Sequence, residues 1–436
     1  MSIESIIKRM PGVKQIVNKF ESMKLQMQEL SYINQIQANE IIDLRLKLKK
    51  SSHEKVNVVF VCHRPQVWES LRSVYESLKN KEIFDVKIVA IPNKKQVPKL
   101  GLNHEIYESE GAEDFWKKYG CIDGYNYATN QWLDLNSLEP DYIFFQQPYN
   151  ITRCSEYKSW IVSSYAKLCY VGYFALHTLD DVYDECTPDD FFKNISFFFA
   201  QNSEEQELIS RKFIRIDNKI GKSILTGFPR YDDAHSYVGC ENNIWKNRSK
   251  NMFRLIWTPR WTTNEGNCHF FKYKDKFIEY CQQHDDIDFV FRPHPQAFSE
   301  WMSTGELSER QLSEYRDVYS NTPNMSIDES KTFLSLFYSS DCLVTDRSSV
   351  VLEYFLTGKP IIYCTSNGKH DTIDYISEGF YKVSNWEELE SRLNELKNGH
   401  DELFEIRQQI IKERFYMPIG GAGHIISDIL EQDAIK

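Results

Sequence analysis

The 436-residue chain is 41% hydrophobic, 26% charged and 14% aromatic, a composition that excludes wholesale disorder and a fibrous repeat. Its formal net charge of −11 does not suit a nucleic-acid binder. The charge is uneven, because residues 1–50 hold nine Lys/Arg and five Asp/Glu, net +4, which leaves −15 for the rest.

The first 50 residues predict helix. Apolar residues recur at three-and-four spacing from Ile3 through Phe20 and on to Leu48, with Pro11 an expected break. A short coiled coil or packing arm fits this pattern. A membrane-surface helix fits it too, since Lys8, Arg9, Lys14 and Lys19 accompany Ile and Phe. After the polar Lys49–Ser52 the rhythm changes. Val56–Cys62 predicts a buried strand, Trp68–Leu78 a helix and Phe84–Ile91 a second strand, which together make a βαβ unit. Further strands are expected at 142–145, 168–173, 196–200 and 223–226, with a helix at 203–212. The pattern then restarts. Strands are expected at 254–257, 287–291, 341–345 and 360–363, with helices at 274–283, 332–339, 349–356 and 386–396 and a last one from Gly423. The expected fold class is α/β, two Rossmann-like lobes with an N-terminal helical extension. The expected division is 1–52 for the extension, 53–240 for the first lobe and 241–436 for the second.

Ten cysteines are scattered without a C-x-x-C pair, which reads as reduced thiols. The leader lacks the continuous apolar run of a signal peptide, and no stretch approaches the roughly 18 apolar residues of a membrane span. Residence on the cytoplasmic side is expected, and on the membrane-surface reading of residues 1–50 these would make peripheral contact at the inner membrane face. A homo-oligomer is the other partner that helix suggests.

Three segments carry candidate chemistry. In Asp341–Cys364 an apolar strand runs into Thr345-Asp346-Arg347-Ser348-Ser349 and a helix that Gly358 ends. Hydroxyls, free amides and a guanidinium at a helix start suit an anion, although a plain Ser cap fits as well. Glu353, one turn on from Ser349, could accept hydrogen bonds from a ribose. In Phe289–Gln296 a strand delivers Arg292, and His294 is held between Pro293 and Pro295, an arrangement suited to phosphate recognition or proton donation. In Tyr170–Thr178, His177 follows an apolar strand and precedes an acidic stretch, where a general base or a structural histidine would fit. Thr258 and Arg260 follow the strand that opens the second lobe, and His63-Arg64 follow the first strand of the chain. No P-loop or G-x-G-x-x-G occurs, no metal-ligand cluster is visible in the sequence, and no cofactor is expected.

F-R-P-H-P at 291–295 followed by T-D-R-S-S-V-V-L-E-Y-F-L-T-G-K-P-I-I-Y at 345–363 resembles the CDP-glycerol glycerophosphotransferases of teichoic acid and capsule synthesis. The fragments L-T-G-F-P-R-Y-D at 225–232, L-I-W-T-P-R-W at 255–261 and Gly420–Leu430 agree with it. The resemblance covers roughly residues 140–430. It implies a GT-B-like fold that binds a CDP-activated polyol donor on the C-terminal lobe and a lipid-linked or glycan acceptor on the N-terminal one.

Under that resemblance His177 is the catalytic base, and catalytic His294 binds the donor pyrophosphate with Ser348 and Ser349. Arg292, Thr258, Arg260, Asp346, Arg347 and Glu353 complete the donor site. Arg347 stands where the family has tyrosine, and A-L-H-T replaces its W-H-G-T pattern. The expected reaction is transfer of glycerol or ribitol phosphate with release of CMP. A nucleotide-sugar transferase of the same architecture and a non-catalytic nucleotide-binding scaffold are the alternatives.

Overall fold

Val56–Cys62 (V-N-V-V-F-V-C) is buried along almost its whole length, as a strand covered on both faces must be. The computed structural model containing it describes residues 11–99, 102–108, 112–173, 187–213, 220–247, 252–330, 332–348, 350–365 and 376–436. Contacts divide the chain into two units. Among the described residues, the first takes in those up to Tyr173, 187–230 and Pro418–Lys436, and the second those within Tyr231–Met417.

The first unit is built on strands β1 (Val56–Cys62), β2 (Phe84–Ala90), β3 (Ile122–Asp123), β4 (Tyr142–Phe145), β5 (Lys167–Val171), β6 (Phe197–Ala200) and β7 (Lys222–Leu225). Their spatial order is β7-β6-β5-β4-β1-β2-β3, and every pair is parallel. The chain therefore winds outward from β1 on one side and returns to wind outward from β4 on the other. The expected helix after β1 is shorter and comes in two pieces, a 3₁₀ turn at Pro65–Ser70 and a helix at Arg72–Lys79. Leu71, at φ −124°, separates them. An antiparallel hairpin, Asn93–Lys99 with Leu102–Glu108, is inserted after β2. Its polar sequence gave no strand signal.

The second unit has strands β8 (Phe253–Thr258), β9 (Ile287–Phe291), β10 (Met325–Ile327), β11 (Cys342–Thr345), β12 (Ile361–Cys364) and β13 (Tyr381–Val383). Their order is β10-β9-β8-β11-β12-β13, again all parallel. An aromatic core of Trp257, Phe270, Phe277, Phe289, Phe291 and Trp301 fills one face of this sheet. The doubly wound α/β class expected from the alternation of strands and helices is what both units adopt.

The last helix, Ala422–Ala434, belongs to the first unit although it follows the second in sequence. Gly423 allows this packing, because a Cβ there would lie 2.5 Å from the Ser73 carbonyl carbon. Asp433 accepts from Tyr142 (2.7 Å) and Lys167 (2.5 Å). The expected N-terminal helix is a single 42-residue helix, Pro11–Ser52. Its C-terminal half is anchored on the fully buried Asp141, whose carboxylate takes Arg45 Nε at 2.8 Å and Lys49 Nζ at 2.7 Å. No helix among the described residues is long and apolar enough to cross a membrane.

Candidate functional site

In an open parallel sheet, ligands bind beyond the carboxyl ends of strands at the point where the winding reverses. In the second unit that point lies between β8 and β11. Thr258 closes β8 and Thr345 closes β11, and the Thr258 hydroxyl donates to the Thr345 hydroxyl at 2.8 Å. The two strands are thus tied at the end where their loops diverge.

Asp346 follows immediately and has no exposed surface. Its Oδ2 accepts the main-chain amides of Arg260 and His269, each at 2.9 Å. Its Oδ1 lies 2.8 Å from His269 Nδ1. One carboxylate therefore fixes the loop after β8, the start of the helix Phe270–Gln283 and the loop after β11. Asp346 was expected among the donor-contacting side chains. It is instead a buried strut, because both oxygens are already engaged and neither reaches solvent. His269 was not singled out in the sequence, since a lone histidine before a helix carries no distinctive spacing.

The Arg260 guanidinium makes a two-point contact with Glu265, at 2.7 and 2.9 Å. Its Nη1 also reaches the carbonyl of Arg347 at 3.4 Å. Hydrogen bonds from Arg260 hold the Glu265 carboxyl below its ordinary range. Arg347 and Ser348 are half-buried at the mouth of the same loop.

His294 is exposed and stacks on Trp261, with ring centroids 5.2 Å apart and planes 16° apart. Trp301 Nε1 fixes the Trp261 carbonyl at 2.7 Å. The Gln296 amide donates to His294 Nδ1 at 3.2 Å, so the neutral ring carries its proton on Nε2. Desolvation by its neighbours, with the Arg260 charge behind it, lowers the His294 pKa. The histidine thus presents an N–H donor rather than a second positive charge at neutral pH.

Arg292 differs from expectation. Its guanidinium forms an ion pair with Asp328, donates to the Ser330 carbonyl at 2.9 Å and lies over the Phe333 ring. A side chain committed in this way braces the loop after β10 and is not poised for an incoming phosphate. The helix expected over 349–356 is also shorter, Val351–Phe355, and Val350 at its cap position makes no side-chain bond. Among the described residues no side chain caps this helix start. Glu353 is buried within the short helix. Gly358 ends the following turn at φ +73°, as expected. His177 and Ser349 lie outside the described residues.

Three ligand-type atoms, from His269, Asp346 and Cys364, lie within 4.8 Å of one another. The two Asp346 oxygens are already used by two amides and the imidazole, so the group reads as a hydrogen-bonded strut rather than a vacant metal cage.

The first unit has its own reversal point, between β1 and β4. Gln146 Oε1 accepts the amides of His63 (2.7 Å) and Arg64 (2.9 Å), and Gln147 Oε1 lies 3.0 Å from His63 Nε2. Burial pushes the His63 pKa down to about 3, helped by the Arg153 and Arg64 charges. This histidine is neutral at physiological pH and locks the two strand ends together.

A family model for CDP-glycerol:poly(glycerophosphate) glycerophosphotransferases matches residues 184–417, more than half of the chain. The chain belongs to this family. It is a glycerophosphotransferase-like enzyme, a transferase of polyol phosphate with a GT-B-like fold. Among solved structures, the Neisseria meningitidis UDP-GlcNAc 2-epimerase bound to UDP-GlcNAc superposes with a TM-score of 0.55 and 14% identity, over 87% of this chain and 100% of that one. The wall teichoic acid polymerase TagF, H444N variant, gives 0.52 and 14% over 92% and 98%. The S. aureus MnaA–UDP structure gives 0.52 and 10% over 80% and 90%. At these identities the likenesses establish the shared fold. No curated protein sequence matches the chain. The glycerophosphotransferase match covers β8, β9 and β11 with their loops, hence every residue of the Asp346 network.

Proposed function

We propose that the protein transfers glycerol or ribitol phosphate from a CDP-activated donor to a hydroxyl of a glycan or lipid-linked acceptor, in synthesis of the teichoic acid type. The acceptor oxygen attacks the phosphorus that carries the polyol. The bond from that phosphorus to the bridging oxygen breaks, and CMP leaves with the electron pair. The acceptor proton passes to a base, the role we assign to His177.

Negative charge grows on the departing CMP phosphate. The neutral His294 N–H, with Arg347 and Ser348, is suited to donate hydrogen bonds to it, a role we also assign to Ser349 from the sequence, and preorganised donors stabilise a transition state without reorganisation. Thr258 and Arg260, at the end of β8, and Glu353, in the helix that follows the Ser348 loop, are assigned to the same donor site. Arg292 and Asp346 act through others: Arg292 braces the 328–332 loop, and Asp346 sets Arg260 and His269. The observation that carries the reading is the Asp346 carboxylate bonded to both Arg260 and His269 at the β8/β11 reversal, inside the family match.

Calorimetric titration with CMP, CDP-glycerol and UMP tests the donor site. CMP and CDP-glycerol should bind, and UMP should bind at least tenfold more weakly. Equal binding of UMP would overturn the cytidine assignment. His177→Ala should abolish transfer while CDP-glycerol binding survives, and retained transfer would remove His177 as base.

A further inference from the structure

The helix Pro11–Ser52 carries two apolar faces, of which the described residues cover one. In its C-terminal half Ala38, Ile42 and Leu46 are buried against the first unit, with Asn39, Arg45 and Lys49 bonded to that unit's backbone and to Asp141. A different stripe runs the length of the helix. Positions seven apart read Val13, Phe20, Met27, Asn34, Ile41 and Leu48. The set displaced by three reads Ile16, Met23, Leu30, Gln37 and Leu44. These are the a and d positions of a heptad repeat, without a charged residue in either row.

The eight large apolar residues of this stripe from Ile16 to Leu48 are between 52 and 70% exposed. Near the N-terminal end Phe20, Met23 and Met27 stand over an open cavity of about 580 Å³, with Trp160 and Lys193 on its far side. So many exposed apolar side chains in one row mark an interaction surface.

We propose that this stripe is the seam of a parallel two-stranded coiled coil with a second copy of the chain. The inference rests on the helix alone and not on the transfer reaction. Three observations choose this occupant over a flat apolar surface such as a lipid bilayer. A strict seven-residue repeat drifts by roughly 20° per heptad on a straight helix, or about 100° over five heptads. A partner helix follows that drift by supercoiling, whereas a bilayer plane cannot. Asn34 and Gln37 interrupt the stripe at its middle, where two parallel copies place like beside like, and a single asparagine at an a position selects register and the dimeric state.

The third observation is size. At roughly 100 Å² of apolar area per side chain, the eight residues supply about the 800 Å² per partner of a standard interface.

The full chain should sediment as a dimer at about 10 µM, on the order of the concentrations at which a standard interface associates. Met27→Glu with Leu30→Glu, both at exposed positions, should give a monomer whose circular dichroism matches the parent and whose unfolding remains a single cooperative transition. Leu30→Cys should form a covalent dimer under mild oxidation, while Leu25→Cys, on the outer face of the helix, and the parent chain should not. A monomeric parent overturns the proposal. So does a dimer in which Leu30→Cys fails to link to itself but links to Ile41→Cys in a mixture, the antiparallel outcome. A monomer that binds phosphatidylglycerol vesicles through Met27 and Leu30 would assign the seam to the membrane and equally overturn it.

Discussion

Asp346 Oδ1 lies 2.8 Å from His269 Nδ1, and the other oxygen of Asp346 accepts the main-chain amide of the same histidine. This double hold joins the end of β11 to the start of the helix Phe270–Gln283. With the third bond, from the Arg260 amide, it sets the loops at the β8/β11 reversal.

Asp346→Asn should reduce transfer by roughly 100-fold, since small misplacements of positioned groups cost about that much. The amide keeps the shape but puts an N–H where at least one donor now points. The loss should fall on both kcat and KM for donor, with urea unfolding showing a stability decrease of about 2 kcal/mol. Parent-like kinetics would mean that the strut has no bearing on the site.

Arg292→Ala tests whether this arginine braces a loop or binds donor. Breaking the shielded pair with Asp328 should cost about 3 kcal/mol in unfolding free energy. The double variant Arg292→Ala with Asp328→Ala should be less damaged than the two single losses added together. A large rise in donor KM at unchanged stability would restore Arg292 as a donor ligand.

The ends of strands were legible in the sequence because β-branched and aromatic runs bounded by turn residues have one physical explanation, a covered parallel strand. Thr258, Arg260, His294 and Ser348 were therefore placed at the carboxyl ends of strands of one sheet from pattern alone, where the structure also has them. The partners of these residues were not legible. Arg292 and Asp328 are separated by 36 positions, and the His269–Asp346 contact spans 77, so neither pairing leaves a local trace. The same holds for the last helix, whose amphipathic pattern says that one face is covered but not by which sheet. Only the absence of a side chain at Gly423, beside Ser73, hints at so close an approach.

His63 should make stability depend on acidity. Its folded pKa, about 3, lies below the ordinary 6.5, so between these values the unfolded chain binds a proton that the folded chain refuses. Stability is full above pH 6.5 and falls as pH drops toward 3, by up to about 5 kcal/mol. His63→Gln should flatten the slope of the urea midpoint between pH 6.5 and 4.5 relative to the parent. An unchanged slope would place the titration elsewhere.

Gly423→Ala should destabilise the packing of the last helix by about 2 kcal/mol, because the added methyl meets backbone rather than a flexible side-chain end. Thermal unfolding followed by circular dichroism reads the loss. A neutral substitution would show that the two helices separate at no cost.

Nucleotide release from a donor panel tests the central claim most directly. The protein is incubated with CDP-glycerol, CDP-ribitol and UDP-sugars, each with a teichoic-acid-type acceptor, and the liberated nucleotide is quantified by chromatography. The account expects CMP from one of the CDP-polyols, with polyol phosphate gained by the acceptor in equal amount. Release of UDP from a sugar donor, with no CMP from either CDP-polyol, would contradict it.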